Sequence, residues 1–286
     1  MCLLKSCAAY LKIKGWLRPV ENDFPMYWWS GVGNRNFGDV VGPYLVEKIT
    51  DKKPLLVTKK YRYTYYLTVG SILKYSSKNA IIWGSGIISR GQNIKKPKAT
   101  YAVRGPLSRD RLLELGYECP EVYGDPALLL PRFYQPTKTQ DKELGIIPHF
   151  VDFENISAGM SQLLFKDEER SIKLINLLDP IEKVIDDIAS CKRIVSSSLH
   201  GLITAHTYGI PALWVCFSDQ IKGDNVKYHD YFLSVGITPY EAYDLKTICY
   251  DLDEIIQLID AQYSQKIMID LDKLYAACPF VDGDYA

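Results

Sequence analysis

The sequence predicts an α/β protein built from two Rossmann-like domains. Short apolar runs alternate with helical patterns, which is typical of parallel sheets covered by helices. The alternation stops at a polar stretch with two prolines, residues 131–143, and restarts after it. The chain has 286 residues, enough for two domains of average size. We therefore expect an N-terminal domain over residues 1–135 and a C-terminal domain over residues 141–286.

The elements of the first half follow from its apolar runs. Polar or glycine-bearing turns separate four predicted strands, at residues 25–30, 66–71, 80–88 and 99–105. Helices are expected over residues 40–50 and 106–116. Pro106 suits the first turn of the second helix and Gly116 suits its end.

The second half repeats this alternation. Predicted strands cover residues 144–152, 171–179, 193–198 and 211–215. Predicted helices cover residues 180–191 and 199–209, and a helical pattern runs from residue 252 to 277. Ligands of open parallel sheets bind at the carboxyl ends of the strands. Two such sheets that face each other would form a cleft lined by both sets of strand ends.

Composition excludes several classes of function. Lys plus Arg and Asp plus Glu both number 34, so the basic excess of nucleic-acid-binding proteins is missing. The sequence has no run of eighteen apolar residues, so no membrane-spanning helix is expected. The seven cysteines form no CxxC pair and no disulfide framework, which favours a reducing cytoplasm.

The first eighteen residues form an amphipathic pattern. Lys5 and Lys12 lie away from one apolar helical face, which consists of Leu3, Leu4, Cys7, Ala8 and Leu11. Two hypotheses stay open. The helix packs on the first domain, or it makes a peripheral contact with the inner face of the cytoplasmic membrane.

The strongest candidate site is the stretch "RIVSSSLHGLITAHTYGIPALWV", residues 193–215. Ser196, Ser197, Ser198 and His200 lie where a predicted strand ends and a helix begins. Free backbone N–H groups and the helix dipole favour an anion there. A serine N-cap beside a solvated histidine is the simpler alternative, but capping needs only one serine. His206 faces away from His200, so we interpret it as a packed structural histidine.

Further candidates lie at other strand ends and turns. Each is a weak signal alone, because an arginine can be solvated and Gly-Asp-Pro can be a simple turn. The stretch "GSG" allows close backbone approach but lacks the GxGxxG pattern. The candidates are Asn36, Asp39, Gly84, Ser85, Arg104, Arg109, Asp125, His149 and Lys227.

Taken together, six motifs resemble the polysaccharide pyruvyltransferase family. They are "NFGD" at 36–39, "GSG" at 84–86, "RGPLSRD" at 104–110, "GDPALLL" at 124–130, "IIPH" at 146–149 and "SSSLHGLITAHTYGIP" at 196–211. The resemblance implies two Rossmann-like domains arranged as in GT-B glycosyltransferases. It also implies transfer of a pyruvyl group from phosphoenolpyruvate to two hydroxyls of a sugar, in a polysaccharide or its lipid-linked precursor, with release of phosphate.

The same resemblance implies roles for the candidates, with the acceptor on the N-terminal side and the donor on the C-terminal side. His200 is the expected general acid, and Asp39 or Asp125 the base. The donor ligands are His149, Ser197, Ser198, His200 and Lys227, and the acceptor ligands are Asn36, Asp39, Gly84, Ser85, Arg104 and Arg109. Some relatives carry arginine at the positions of Ser198 and His149, so Lys227 and an arginine of the first domain are expected to compensate. Neither metal nor cofactor is expected.

Two other functions fit the same fold. A glycosyltransferase with a nucleotide-sugar donor would share the cleft, although the second half shows no acidic pair suited to ribose and sugar. A non-catalytic glycan-binding module would not need polar clusters at both sets of strand ends.

Overall fold

The computed structural model describes residues 19–31, 36–58, 60–137, 139–159, 171–246, 252–262 and 267–281. It contains two parallel sheets of five strands each, so the α/β class and the two domains are confirmed. Residues 1–18 lie outside the described residues, and the amphipathic helix and its membrane contact stay predictions. In the described part of the chain, no helix is both long and apolar enough to cross a membrane.

The first sheet has the strand order β2-β1-β3-β4-β5. Its central strand β3 and the neighbouring strand β4 are buried along their whole length, as expected for strands covered on both faces. The strands are β1 (Asp23–Tyr27), β2 (Lys53–Leu56), β3 (Tyr65–Leu67), β4 (Ala80–Trp83) and β5 (Ala99–Ala102). Helix α1 (Phe37–Thr50) follows β1, and helix α2 (Pro106–Glu114) follows β5. Two 3₁₀ turns, Leu73–Tyr75 and Pro126–Arg132, complete this half.

The second sheet has the order β10-β9-β8-β6-β7. Its strands are β6 (Leu144–Ile147), β7 (Ile172–Leu174), β8 (Ile194–Ser196), β9 (Ala212–Cys216) and β10 (Tyr243–Asp244). The accompanying helices are α3 (Phe153–Gly159), α4 (Ile181–Ala189), α5 (Leu199–Thr207), α6 (Val226–Ser234), α7 (Leu252–Gln262) and α8 (Leu271–Ala276).

Both sheets share one topology. In each, the first strand of the domain lies between the second and the third. The chain direction across the sheet therefore reverses between β1 and β3, and again between β6 and β8. Such switch points open a crevice at the carboxyl ends of the two strands. The residue pairs at these ends are Tyr27 with Leu67 and Ile147 with Ser196.

The two domains share a hydrophobic core. Phe37, Val41 and Leu45 of α1 pack into the same buried cluster as residues of α4 and α5. The backbone N–H of Phe37 donates to the carbonyl of Leu177 in the second domain at 2.7 Å. The amino ends of α1 and α5 are thereby brought together.

The carboxyl-terminal segment crosses back to the first domain. The indole Nε1 of Trp83 donates to the carbonyl of Leu274 at 3.0 Å, and Phe280 packs edge-on against Phe24 and Trp83. The predicted domain of residues 141–286 therefore includes a segment that contacts the first sheet. The helical pattern over residues 252–277 corresponds to the two helices α7 and α8.

Several bounds differ from the predictions. The strand expected at residues 25–30 is β1, which begins at Asp23 and ends at Tyr27, so Trp28 and Trp29 follow it. Strands β2 and β10 and helix α3 were not predicted, because each is short and none has a clear apolar period.

Candidate functional site

The serine cluster shapes the turn between β8 and α5. The Ser196 hydroxyl accepts a bond from the Ser198 N–H at 3.0 Å and donates within the turn. The Ser197 hydroxyl accepts a bond from the His149 N–H at 2.8 Å, which ties the turn after β6 to the turn after β8. Ser198 occupies the N-cap position of α5 without a side-chain capping bond. Ser196 and Ser197 therefore fix the conformation of the turns at the site through hydrogen bonds, and Ser198 is the residue at which α5 begins.

His200 lies in the first turn of α5 and faces Asp125 of the first domain. Its Nε2 is 3.4 Å from Asp125 Oδ2, which is within ion-pair distance but not aligned as a hydrogen bond. Asp125 is completely buried, and its other oxygen accepts the Ala127 N–H at 3.0 Å to cap the 3₁₀ turn. The carboxylate is thus fixed by the backbone and opposes one nitrogen of the imidazole.

Asp39 lies in the first turn of α1, near the same imidazole. Its carboxylate accepts a bond from the Asn36 side-chain amide at 2.9 Å. Burial raises the pKa of the Asp39 carboxyl, while the Asn36 bond and the charges of His200 and Lys227 act in the opposite direction. A buried carboxyl that keeps some basicity is suited to accept a proton.

Lys227, in the first turn of α6, brings a cation to this group. Burial lowers the pKa of Lys227 to about 8; the Arg104 charge lowers it further, and Asp39 raises it. Among the described residues, no carboxylate forms an ion pair with its ammonium, which lies 5.0 Å from the centre of the Tyr228 ring. An ammonium without a carboxylate partner is suited to bind an anionic ligand.

His149 completes the group on the second domain. Burial, followed by the nearby Lys227 charge, lowers the pKa of His149 to about 4. Its Nδ1 accepts a long hydrogen bond from the Val151 N–H at 3.4 Å. The imidazole is therefore neutral near pH 7, so it can orient a ligand but adds no positive charge.

We name these six residues the junction cluster: Asn36, Asp39, Asp125, His149, His200 and Lys227. They come from both domains and from five separate segments of the sequence. The cluster combines the Lys227 ammonium, which has no carboxylate partner in the described part of the chain, with the amino end of α5, two imidazoles and the Asp39 carboxyl, whose pKa is raised. This arrangement can bind an anion and exchange protons with it. No group of three or more metal-ligating side chains converges anywhere in the described ranges.

Residues 56–215, more than half of the chain, match the family described as polysaccharide pyruvyl transferase. The chain belongs to the polysaccharide pyruvyl transferase family. It is therefore a transferase of the pyruvyl type, and the family implies a glycan acceptor. The chain is also similar to an uncharacterised protein, L143, of Acanthamoeba polyphaga mimivirus, with 34% identity over 209 residues that cover 71% of each protein. No solved structure matches the chain.

The matched family region covers only part of the junction cluster. It includes Asp125, His149 and His200 but begins after Asp39 and ends before Lys227. The other members, Asn36, Asp39 and Lys227, lie outside the matched region in the sequence. The fold brings them to the cluster because the first turns of α1 and α6 lie against the matched region.

Arg104 lies in a buried interlock between the domains, not at a free surface. Its Nε donates to Asp230 of α6 at 3.0 Å, and both side chains have 0% exposure. Ser108 donates to the same carboxylate through its backbone N–H and its hydroxyl, at 2.9 and 2.6 Å. The Arg104 guanidinium also donates to Ser71 and to the Ile87 carbonyl. This position gives Arg104 a structural role in joining the domains, and the acceptor contact expected of it stays a prediction.

The other predicted acceptor residues, Gly84, Ser85 and Arg109, make packing and hydrogen-bond contacts within the first domain. Gly84 has φ +88° and packs on the Pro126 ring, where a Cβ would lie 2.2 Å from Cδ. It therefore shapes the turn that carries Asp125. The Ser85 hydroxyl is buried and donates to the Thr68 carbonyl at 2.5 Å. Arg109 donates to the Cys119 carbonyl at 3.2 Å, on the outer side of α2.

Gly38 determines how closely α1 approaches His200. A Cβ at this position would lie 2.3 Å from His200 Nδ1, so any side chain there must displace the imidazole. We expect Gly38→Ala to reduce turnover sharply while the protein stays folded, because His200 can move away from Asp125. Turnover and the melting temperature should be measured together. Gly91 has open space around it, so Gly91→Ala is the matched control. Equal turnover in the two variants would contradict this account.

The interlock should dominate the stability of the domain junction. Asp230→Asn leaves the Arg104 guanidinium buried without its counter-charge, and removing one partner of a buried pair costs about 3–5 kcal/mol of unfolding free energy. Asp219→Asn removes an exposed ion pair with Lys246 and should change the unfolding free energy little. Denaturant unfolding measures both. A similar small loss for the two variants would show that the interlock adds little to stability.

Proposed function

We propose that this protein transfers the pyruvyl group of phosphoenolpyruvate to two hydroxyls of a sugar, in a polysaccharide or its lipid-linked precursor. The observation that carries the proposal is Lys227, a partly buried ammonium that forms no ion pair with a carboxylate among the described residues and whose charge acts on Asp39 and His149. Phosphoenolpyruvate carries a phosphate and a carboxylate, so it supplies the negative charge that this position lacks. The reaction would take place in the cytoplasm.

The donor binds on the second domain and the acceptor on the first, across a cleft arranged as in GT-B enzymes. The amino end of α5 presents the backbone N–H groups that follow Ser198, and Lys227 in the first turn of α6 supplies the positive charge. His149 is neutral and orients the donor. Asp39, from the first domain, would accept the proton of the sugar hydroxyl, and its raised pKa supports this role.

The proposed reaction forms two C–O bonds at C2 of phosphoenolpyruvate, first by addition of one hydroxyl and then by displacement of phosphate by the other. Protonation of the methylene carbon by His200 makes C2 electrophilic, and the first sugar hydroxyl attacks it while Asp39 accepts the hydroxyl proton. The second hydroxyl then forms a bond to C2 as the C2–O bond to phosphate breaks. In the overall balance, the new methyl group gains the proton of one sugar hydroxyl, and the departing phosphate gains the proton of the other. The product is a cyclic ketal.

Asp125 acts in this scheme as a positioning residue. Its Oδ2 lies 3.4 Å from His200 Nε2, and its other oxygen is fixed by the Ala127 N–H, so it would orient the imidazole towards the substrate. Because Asp125 is completely buried and caps a backbone turn, it is less suited than Asp39 to act as the base.

Thermal-shift titration tests the donor assignment. Phosphoenolpyruvate should raise the melting temperature, because it binds the folded state at the junction cluster. UDP-sugars should leave it unchanged. Stabilisation by a UDP-sugar but not by phosphoenolpyruvate would favour a glycosyltransferase and overturn the proposal.

A further inference from the structure

A row of aromatic rings lies beside the junction cluster on the first domain. Tyr27 stacks on Tyr75 with ring centres 4.3 Å apart, and Tyr75 is 6.1 Å from Trp29. We name Tyr27, Tyr75 and Trp29 the aromatic row. Tyr27 and Tyr75 are partly exposed, and Trp29 is 44% exposed. The row therefore presents aromatic surface to solvent.

The row begins at the switch point of the first sheet. Tyr27 is the last residue of β1 and pairs with Leu67 at the end of β3, where a ligand crevice is expected. Burial and the Tyr75 hydroxyl raise the pKa of the Tyr27 phenol, and the Asp39 carboxylate adds to this effect. Asp39 is therefore close enough to act on the Tyr27 hydroxyl, and the row leads outward from the junction cluster.

Local contacts hold the rings in place. The Tyr65 hydroxyl donates to the Tyr75 carbonyl at 2.7 Å, which fixes the 3₁₀ turn that carries Tyr75. Gly31 lies against the Trp29 indole, where a Cβ would be 2.7 Å from Cζ2. The Lys74 ammonium lies 5.1 Å from the Tyr75 ring centre and 6.0 Å from that of Trp29.

Packing alone does not account for the exposure of Trp29. Trp83 and Trp214 are 1% and 2% exposed, as expected for residues that contribute to a core. An exposed indole that is held in place and adjoins a polar site is typical of a binding surface. Within the row, Tyr27 and Tyr75 stack face to face and the Lys74 ammonium lies over the rings of Tyr75 and Trp29, while the Trp29 indole keeps the largest exposed aromatic surface.

We propose that the aromatic row is an acceptor subsite, on which the apolar C–H face of a pyranose ring packs. The inference rests on the proposed function, in that it assigns the row to the sugar acceptor. A pyranose matches the row because it combines one apolar face with hydroxyls around its rim. The ring bound here neighbours the sugar whose hydroxyls reach Asp39.

Binding without donor tests the subsite independently of the reaction. Galacto- and manno-oligosaccharides should quench the tryptophan fluorescence of the wild-type protein in a saturable manner, without phosphoenolpyruvate. The same titration of Trp29→Ala should show no saturable quenching. Tyr101→Ala removes an aromatic side chain of similar exposure on β5 and should leave the quenching unchanged. Absence of saturable quenching in the wild type, or stronger quenching by uridine monophosphate, would overturn the subsite.

Steady-state kinetics provide the second measurement. Trp29→Ala should raise the KM for the acceptor about tenfold, which corresponds to about 1.4 kcal/mol of binding free energy. The KM for phosphoenolpyruvate should stay unchanged, and Trp29→Phe should recover most of the acceptor affinity. An unchanged acceptor KM in active Trp29→Ala would exclude the row as a subsite while leaving the pyruvyl transfer intact. A wild-type protein that binds oligosaccharides but ignores phosphoenolpyruvate would instead refute the donor assignment alone.

Discussion

His200→Ala should lower the turnover number by about two to four orders of magnitude, the range expected for loss of a general acid. His200 is the imidazole at the amino end of α5, and its Nε2 opposes the buried Asp125 carboxylate at 3.4 Å. Its replacement removes the proton donor while the surrounding backbone remains in place. Initial rates of phosphate release at saturating phosphoenolpyruvate and acceptor provide the measurement.

The matched control is His206→Ala on the same helix. His206 is buried against Tyr231, and its Nδ1 is 3.0 Å from the Tyr231 hydroxyl. Burial lowers the pKa of His206 to about 4, so the ring is neutral and belongs to the core. This change should lower the melting temperature and leave the turnover of the folded fraction nearly intact. Equal, mild effects on turnover from both variants would remove His200 from the mechanism.

Lys227→Met should weaken phosphoenolpyruvate binding more than any other single change in the junction cluster. Truncating a charge that meets a ligand in a desolvated site costs about 2–5 kcal/mol, which raises the Kd about 30-fold or more. Methionine keeps much of the side-chain volume, so the fold should tolerate it. Isothermal titration calorimetry with phosphoenolpyruvate measures the change.

The pH dependence of this binding distinguishes a direct charge contact from a packing effect. The pKa of Lys227 is lowered to about 8 in the free protein, and an anionic ligand raises it again because it favours the ammonium. Above about pH 8 the complex must take up a proton, so the affinity should fall as the pH rises through this value. Lys227→Met should lose this dependence.

Lys222→Met provides the control for Lys227. Lys222 is an exposed lysine in the loop just before α6, so its loss changes the net charge equally. The affinity for phosphoenolpyruvate should change little in this variant. If Lys222→Met and Lys227→Met weaken binding alike, the effect comes from the general charge of the protein and not from a defined site.

Much of the candidate site could be predicted from the sequence. Each parallel strand carries its polar residues at its carboxyl end, and these ends meet at one edge of the sheet. Asp39, His149 and His200 each follow a strand, so their approach follows from the topology once both sheets are assigned. Lys227 was a candidate because the anionic donor requires a cation where Ser198 and His149 stand in place of the arginines of some relatives. The shared strand order was not predicted, because β2 and β10 are too short to show a pattern.

The roles of other residues depend on tertiary contacts that no local pattern reveals. Arg104 has the appearance of a binding arginine, but its partner Asp230 is far away in the sequence and belongs to the other domain. A buried arginine requires an acidic partner. The sequence near Arg104 does not show which acid that partner is. Residues 271–280 were assigned to the second domain by position, whereas Leu274, Cys278 and Phe280 pack in the core of the first sheet. Trp29 was predicted to lie in the strand at residues 25–30, but β1 ends at Tyr27, two residues before it.

Transfer of labelled carbon tests the central claim most directly. The protein is incubated with ¹³C-labelled phosphoenolpyruvate and a panel of galactosides, mannosides and glucosamine-containing lipid-linked glycans, and the products are analysed by mass spectrometry and NMR. The account predicts a glycan that carries the labelled pyruvyl group as a cyclic ketal, with one phosphate released for each ketal formed. Unmodified glycans together with labelled pyruvate or unreacted phosphoenolpyruvate would contradict it.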